Sequence, residues 1–396
     1  MFAPHNITIT TYTEMVYSDL QWRGILRWCP AFHPDEPINV DARSDYLDVL
    51  ACYPGEFRSE QIELLGAAGG FSGARIWRIR MPDRTLCLKC WPSGDLTEEA
   101  LQFIHAVVLH VRRQGLDIVP TACQDRLGRT VVRHQDHLWD LTPWLPGRAD
   151  YRQNPLPAKL DAALKVLAEL HRAAESYPGR TPHVGRSPGV VQRLQRVRRY
   201  AAGEWSRLFR SVVPDVWPEF YDLVREALLK ASEGLGPLEI LLETASTWEV
   251  PLQVCIRDVW HDHVLFTGER VTGLVDFGAL GIESVAADVA RLLGSMASVR
   301  ASRTDADAVW QAGLAAYASI LPMQDHEKAL VEVFDRSGAL LGALNWIEWL
   351  FGERRQFCDP AAVAQRLDVA LRCLRDFGSE TRTPGRARAT SGLWTP

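Results

Sequence analysis

Two aspartates in the C-terminal half of the chain follow short apolar runs, at a spacing that suits chemistry on a phosphate. Asp258 stands in a polar loop after the run LQVCI, and Asp276 follows the run VTGLV eighteen residues later and begins the tripeptide Asp-Phe-Gly. Phosphoryl transfer needs one carboxylate to orient the acceptor hydroxyl and a second to hold Mg²⁺ against the phosphates. A lone aspartate at the end of a strand is equally typical of a turn. The pair therefore predicts phosphoryl transfer only if nucleotide-binding residues precede it.

A lysine inside an apolar strand is the next candidate. Five of the 44 basic residues are lysines, so arginine supplies nearly all of the ordinary positive charge. Lys89 lies in the alternating run TLCLKCW, close to Leu86 and Leu88. In protein kinases, a lysine on such a strand pairs with the phosphates of ATP. The alternative is an exposed strand lysine, but the scarcity of lysine and the apolar neighbours favour the phosphate-binding role.

A glycine-rich segment, GAAGGFSG at residues 66–73, precedes this strand. Its expected phosphate-covering residues are Gly69, Gly70, Ser72 and Gly73, because glycine lets the backbone approach a ligand and leaves N–H groups for phosphate oxygens. An alternating run follows instead of a helix, which disfavours a Rossmann crossover, and the absence of Gly-Lys-Ser/Thr disfavours a Walker loop. A glycine loop between antiparallel strands covers ATP in protein kinases. A plain hairpin turn has the same composition.

The periodicity of the chain predicts the elements that carry these residues. From residue 61 to 142, five short alternating runs and the helical segment LTEEALQFIHAVVLHVRRQG predict the order β-β-β-α-β-β. After the break PWLPG the pattern is mainly helical and predicts, among other helices, one over residues 189–209 and one over residues 216–231. We expect an α+β, two-lobed fold with a small antiparallel β lobe carrying one helix and a larger, mainly helical lobe. The predicted parts are an N-terminal extension 1–60, a nucleotide-binding lobe 61–142, a catalytic lobe 143–378 and a flexible tail 379–396.

Together these motifs resemble the aminoglycoside phosphotransferase and choline kinase-like branch of the protein-kinase fold, over roughly residues 60–375. In that family a loop of the form His-Gly-Asp-x-x-x-x-Asn precedes a strand that ends in Ile-Asp-Phe or Ile-Asp-Trp. The matching stretches here are residues 256–263, IRDVWHDH, and residues 276–278, DFG. The resemblance implies an ATP-dependent phosphotransferase that acts on a hydroxyl of a small molecule, with ATP in the cleft between two lobes.

The resemblance also assigns roles to single residues. It implies Asp258 as the catalytic base, Asp276 as the ligand of Mg²⁺ and Lys89 as the residue on the phosphates. Residues 142–145 correspond to the hinge that lines adenine, which makes Thr142, Trp144 and Leu145 nucleotide-binding residues. Asp288 matches an aspartate that supports the catalytic loop.

Three positions depart from the family pattern. Ile256 replaces the family histidine, a supporting group. His263 stands where asparagine normally offers an oxygen to the metal, and an imidazole there favours a single metal ion or Mn²⁺ over Mg²⁺, which prefers oxygen ligands. The helix that should supply a glutamate to pair with Lys89 has Glu98 and Glu99 only in its first turn, and Ile104 or His105 falls nearer the family spacing.

Other functions stay open at this point. His261, Asp262 and His263 suit the metal site of a phosphohydrolase, although no second histidine-rich motif accompanies them. A catalytically silent nucleotide-binding module would also explain His263 and the missing helix glutamate. Cys87 and Cys90 have the spacing of a metal pair, but residues three apart on a strand point to opposite faces.

Composition excludes several classes of protein. The 396 residues are 47% hydrophobic and carry a net charge of −5, which is ordinary for a globular chain and does not predict a nucleic-acid partner. No signal peptide or membrane-spanning segment is visible, so we expect a cytoplasmic protein without membrane association. The expected partner is a small-molecule hydroxyl acceptor. Aminoglycosides, choline or ethanolamine, homoserine, sugars and nucleosides all fit the family, and the oligomeric state is not predicted.

Overall fold

A computed structural model describes residues 42–57, 61–65, 74–94, 96–178, 183–299, 303–355 and 360–380. By the contacts among residues, the chain divides into two compact units, Met1–Gly185 with Val250–Lys328 and Arg186–Glu249 with Ala329–Pro396. The predicted glycine loop lies outside the described residues, so the phosphate-covering role of Gly69, Gly70, Ser72 and Gly73 stays a prediction. The predicted boundaries at residues 60, 142 and 378 stay predictions as well.

The first unit begins with one helix and an antiparallel sheet of five strands in the order β1-β2-β3-β5-β4. The elements are α1 (Ala42–Ala51), β1 (Gln61–Leu64), β2 (Arg75–Arg80), β3 (Thr85–Cys90), α2 (Glu98–Arg113), β4 (Val132–His134) and β5 (His137–Pro143). The predicted order β-β-β-α-β-β from residue 61 is therefore confirmed. Thr97 caps α2, since its hydroxyl accepts a hydrogen bond from the backbone N–H of Ala100.

Alternation along the strands gives this sheet two different faces. One face packs against α1 and is mainly apolar, with the Trp77 and Trp139 rings stacked at 5.1 Å and the Arg75 guanidinium over both rings. On the other face, Lys89 is directly opposite Asp140 in the pairing of β3 with β5. Cys90 lies in the apolar core and Cys87 lines the cleft described below, so the two thiols point to opposite faces, as predicted.

The rest of the first unit supports the two aspartates. Its long helices are α3 (Pro157–Glu175), α7 (Val285–Ala297) and α8 (Arg303–Ala318), and its strands are β6 (His183–Arg186), β7 (Glu249–Cys255), β8 (Val264–Thr267), β9 (Arg270–Leu274) and β10 (Gly281–Glu283). Strands β8 and β9 form a hairpin, and β7 pairs with β10. Asp258 precedes the hairpin and Asp276 follows it, so the apolar runs found in the sequence are strands.

The second unit is helical. It contains α4 (Pro188–Arg199), α5 (Trp205–Ser211), α6 (Tyr221–Ala245), α9 (Asp325–Ile347, from Ala329 on) and α10 (Pro360–Glu380). The expected single helix 189–209 is wrong, because Gly203 has φ 123° and breaks it. The expected helix 216–231 is also wrong at both ends: α6 continues through Pro237 because Leu238 and Leu242 stay buried.

Two contacts within the second unit involve tryptophans and an arginine. Trp346 and Trp349 are buried and contact each other edge to face at 5.1 Å between ring centroids, so they are core residues. Arg196, on the arginine-rich helix α4, donates a hydrogen bond to Glu348 at 3.1 Å. Among the described helices of the whole chain, none combines the length and the apolar character that crossing a bilayer requires.

Candidate active site

A cleft in the first unit is lined by five of the seven predicted site residues that the structure describes, namely Lys89, Thr142, Trp144, Leu145 and Asp276, whereas Asp258 and His263 are not among its lining residues. It encloses about 1020 Å³, including the part open to solvent. Four aliphatic side chains line it from two sides, Leu65 and Ile76 from the five-stranded sheet and Leu265 and Val275 from the β8–β9 hairpin. Two apolar walls of this kind accommodate a flat aromatic base.

The predicted hinge residues Thr142, Trp144 and Leu145 line the same cleft. Thr142 lies in β5, and Trp144 and Leu145 directly follow that strand. The Trp144 backbone N–H donates to the Thr85 carbonyl at 2.9 Å, which ties the segment to β3. The Arg78 guanidinium covers the Trp144 ring at 4.4 Å from its centroid. The structure therefore brings the three predicted adenine-binding residues to one edge of the cleft.

Lys89 and Asp276 meet in this cleft although 187 residues separate them in the chain. The Lys89 ammonium donates to Asp276 Oδ1 at 3.4 Å, and the side chains are only 15% and 5% exposed. Burial by itself raises the pKa of the Asp276 carboxyl, but the Lys89 ammonium, His263 and the Gly278 backbone N–H outweigh it and lower that pKa to about 2. Asp276 is thus a carboxylate at neutral pH and a suitable oxygen ligand for a divalent cation.

His263 lies directly beside this carboxylate. Its ring is fully buried, and Nε2 is 3.9 Å from Asp276 Oδ2. Neither ring nitrogen has a hydrogen-bond partner within normal geometry among the described residues. Burial lowers the pKa of the His263 imidazole, so the ring is neutral and keeps one nitrogen lone pair. The backbone carries His263 towards Asp276, because the Val275 N–H donates to the His263 carbonyl at 3.0 Å.

Asp258 is buried in the loop before the β8–β9 hairpin, with 3% of its surface exposed. Its Oδ1 accepts hydrogen bonds from Nε and Nη2 of Arg291, at 3.1 and 3.0 Å. The Arg291 guanidinium also lies over the Trp260 ring, 4.4 Å from the centroid. The predicted base is therefore held in one orientation by a charged hydrogen-bond donor from α7.

Asp288 holds the backbone of the loop that carries Asp258. Its two carboxylate oxygens accept the N–H groups of Ile256 at 2.7 Å and of Arg257 at 2.6 Å. His171 Nε2 lies 3.0 Å from the carboxylate, and its Nδ1 lies 2.7 Å from the Tyr317 hydroxyl. All of these side chains are buried, so Asp288 occupies the supporting position that the resemblance implied.

Three residues that contact the predicted site were not predicted from the sequence. Trp91 stacks against the Lys89 ammonium, Asp140 accepts the Trp91 indole N–H, and Arg291 holds Asp258. Signals for two of them exist in the sequence. Asp140, like Lys89, is a charged residue in an apolar strand, and Arg291 follows Asp288 by three residues, which places both on one side of a helix.

The alternative metal sites gain no support. Within the part of the chain that the structure describes, one group of three residues brings its ligand atoms together: His171, Cys255 and Asp288. His171 and Asp288 take part in the support of the loop, and the Cys255 thiol donates to the Glu283 carbonyl at 3.3 Å. His261 and Asp262 pair with each other at 2.8 Å, and neither belongs to that group. The thiols of Cys87 and Cys90 are both free.

Comparison with known proteins shows the family to which this sequence belongs. A sequence model described as "Phosphotransferase enzyme family" matches residues 63–329. The chain belongs to the phosphotransferase enzyme family. Homoserine kinase of Methylorubrum populi is 26% identical over 296 residues, which are 72% of this chain and 82% of that protein. Six further curated relatives, which match 52–72% of this chain, are also named homoserine kinase.

Solved structures agree on the fold. An aminoglycoside phosphotransferase from Alicyclobacillus acidocaldarius superposes with a TM-score of 0.58 at 16% identity, covering 91% of this chain and 98% of that chain. An amicoumacin kinase in complex with AMP-PNP, Ca²⁺ and amicoumacin gives 0.56 at 15% identity, covering 86% and 94%. The expected α+β, kinase-like fold is confirmed. The family and the curated relatives make this protein a phosphotransferase with a small-molecule hydroxyl as acceptor.

Proposed function

We propose that this phosphotransferase moves the γ-phosphoryl group of ATP to the side-chain hydroxyl of homoserine. Asp258 orients that hydroxyl and accepts its proton, while Lys89 binds the phosphates. The observation that carries the transfer chemistry is the Lys89–Asp276 pair at 3.4 Å in a cleft with apolar walls. This pair places a cation that can bind the phosphates next to an ionised carboxylate that can bind the metal. Both lie in the same cleft as the apolar walls that can hold the adenine.

Asp276 would hold the divalent ion. The ion supplies charge neutralisation on the phosphoryl oxygens when it is bound. An ionised and buried carboxylate fits this role, and the His263 imidazole at 3.9 Å offers a nitrogen as a second donor. Because imidazole suits transition metals better than Mg²⁺, Mn²⁺ should support activity at least as well as Mg²⁺.

Thr142, Trp144 and Leu145 would line the adenine, and the predicted glycine loop would cover the phosphates. Support for the adenine position comes from the aliphatic walls of the cleft, which these three residues close at one edge. Binding of the base between such walls relies on burial of apolar surface more than on charge.

Homoserine as the acceptor is supported by the seven curated relatives with that activity, which match up to 72% of this chain. Identities of 22–26% leave room for another acceptor within the same chemistry. The sharpest experiment is therefore a panel. The purified chain is given ATP, Mg²⁺ or Mn²⁺, and in turn homoserine, choline, ethanolamine and an aminoglycoside, and ADP release is measured.

We expect ADP release that depends on homoserine. Asp258→Asn should keep nucleotide affinity and lower kcat by about 10²-fold or more, the scale of general-base catalysis. Asp262→Asn is the matched control, since it removes a carboxylate from the same loop and should keep kcat within a few-fold. Release with another acceptor of the panel contradicts homoserine but keeps the transfer chemistry. Nucleotide binding without turnover on any acceptor would favour a catalytically silent module. A cytoplasmic location, where ATP is available, stays a prediction.

A further inference from the structure

Lys89 has no glutamate from helix α2 beside it. In protein kinases, a glutamate of the helix forms an ion pair with this lysine, and the pair must be in place for activity. Here the acidic residues of α2 are in its first turn, where the Glu98 carboxylate accepts hydrogen bonds from Gln102 and Arg133. His105 lines the cleft instead. Another side chain must therefore keep the Lys89 ammonium in the cleft when Asp276 coordinates a metal ion.

Besides Asp276, Trp91 is the side chain that contacts the Lys89 ammonium. The Lys89 Nζ lies over the Trp91 ring at 3.7 Å from the centroid, and only 6% of the tryptophan surface is exposed. Tryptophan is the best aromatic partner for a cation, and the attraction grows when water is excluded. Lys89 lies in β3 and Trp91 directly follows that strand, so the two residues are two apart and on the same side of the chain, and the contact costs little ordering.

The indole ring is itself fixed at both ends. Its N–H donates to Asp140 Oδ2 at 2.7 Å, and the same oxygen lies 3.4 Å from His105 Nε2. His105 Nδ1 lies 2.9 Å from the Thr130 hydroxyl, which holds the imidazole in turn. At the opposite edge, a Cβ added to Gly278 would lie 3.0 Å from Trp91 Cζ3, so the absence of a side chain there makes room for the ring.

We propose that the face of the Trp91 indole positions the Lys89 ammonium, in place of the helix carboxylate that pairs with the corresponding lysine in protein kinases. Asp140 on β5 acts on the lysine through the indole, because it is the hydrogen-bond acceptor that orients the ring. This arrangement also explains His105 on α2, because a glutamate there would face the Asp140 carboxylate and repel it.

The test is the affinity for MgATP, measured by displacement of a fluorescent nucleotide, in a cycle of variants with and without Lys89. The test does not depend on the identity of the acceptor. Trp91→Met removes the π face and fills most of the space with a flexible apolar chain. We expect it to weaken MgATP binding about tenfold in the Lys89 background, within the range of buried cation–π contacts. In the Lys89→Met background it should have no further effect.

Two variants separate this role from simple packing. Trp91→Phe keeps a ring face and should bind MgATP within about threefold of the unmodified chain. Asp140→Asn keeps an acceptor for the indole N–H and should also stay within about threefold. An equal loss for Trp91→Met with and without Lys89 would overturn the proposal, because the ring would then act on the pocket alone. A larger loss for Asp140→Asn than for Trp91→Met would overturn it too, in favour of direct attraction between Asp140 and the lysine.

If Trp91→Met does not fold, Gly278→Ala takes its place in the same cycle. The added Cβ presses on the ring edge without removing the indole. A loss of MgATP affinity that requires Lys89 supports the proposal, and a loss that is the same in the Lys89→Met background contradicts it.

Discussion

Gly147 lies just after the predicted hinge, where the chain packs closely against the β8–β9 hairpin that precedes Asp276. We expect Gly147→Ala to destabilise the protein strongly. Gly147 has φ 103°, a conformation that residues with a Cβ rarely adopt. A Cβ at this position would lie 2.3 Å from Thr272 Oγ1 and 2.9 Å from the Phe266 carbonyl oxygen. Both distances are far below normal contact, so one of these groups must move.

Displacement of either group costs free energy. Thr272 Oγ1 donates to the Pro146 carbonyl at 2.9 Å, and the residue is 8% exposed, so a shift leaves a buried polar group without its hydrogen bond at a cost of about 1–3 kcal/mol. The Phe266 backbone is held by two hydrogen bonds with Arg148, at 2.9 and 2.8 Å. The left-handed conformation adds about 1–2 kcal/mol. We therefore expect a loss of about 4 kcal/mol in the free energy of unfolding and a fall in Tm of about 5 °C.

Gly128→Ala is the matched control for this prediction. Gly128 has φ 77°, but no atom lies within 4 Å of the position of its added Cβ. This variant should lose only the conformational part, about 1 kcal/mol. Differential scanning calorimetry and urea unfolding of both variants measure the difference. If Gly147→Ala is within about 1 kcal/mol of Gly128→Ala, the close approach of the hinge to β8 and β9 is wrong.

Two further predictions concern the predicted site. Lys89→Ala should raise the KM for ATP or lower kcat, for a combined loss in kcat/KM of about 10²-fold, while far-UV circular dichroism stays native, since a strand tolerates alanine at modest cost; an unfolded or fully active variant would contradict the phosphate-binding role. His263→Asn should restore an oxygen donor beside Asp276 and raise the ratio of activity with Mg²⁺ to activity with Mn²⁺, measured by ADP release across metal titrations; an unchanged ratio would mean that His263 does not bind the metal.

The local pattern of residues was sufficient to predict most of the elements that frame the cleft. Strands β1 to β5 and helix α2 follow from alternation and from helical periodicity, because half-buried elements display their exposure in the sequence. The order of Lys89, Asp258 and Asp276 also predicted the family, since phosphoryl transfer requires a cation and two carboxylates in fixed places. Where a breaker residue stood inside an element, the prediction was wrong. Helix α6 passes through Pro237 because burial of its apolar face outweighs the local cost.

The partners of those residues were decided by the tertiary structure. Lys89 pairs with Asp276 at a separation of 187 residues, and Arg291 reaches Asp258 across 33. Trp91, which looked like one more apolar residue at the end of a strand, meets Asp140 at a separation of 49. Periodicity states which face of an element is buried, but it does not state what lies opposite. That depends on how distant elements pack, because a buried ion or indole N–H is stable only where a partner from elsewhere in the fold satisfies it.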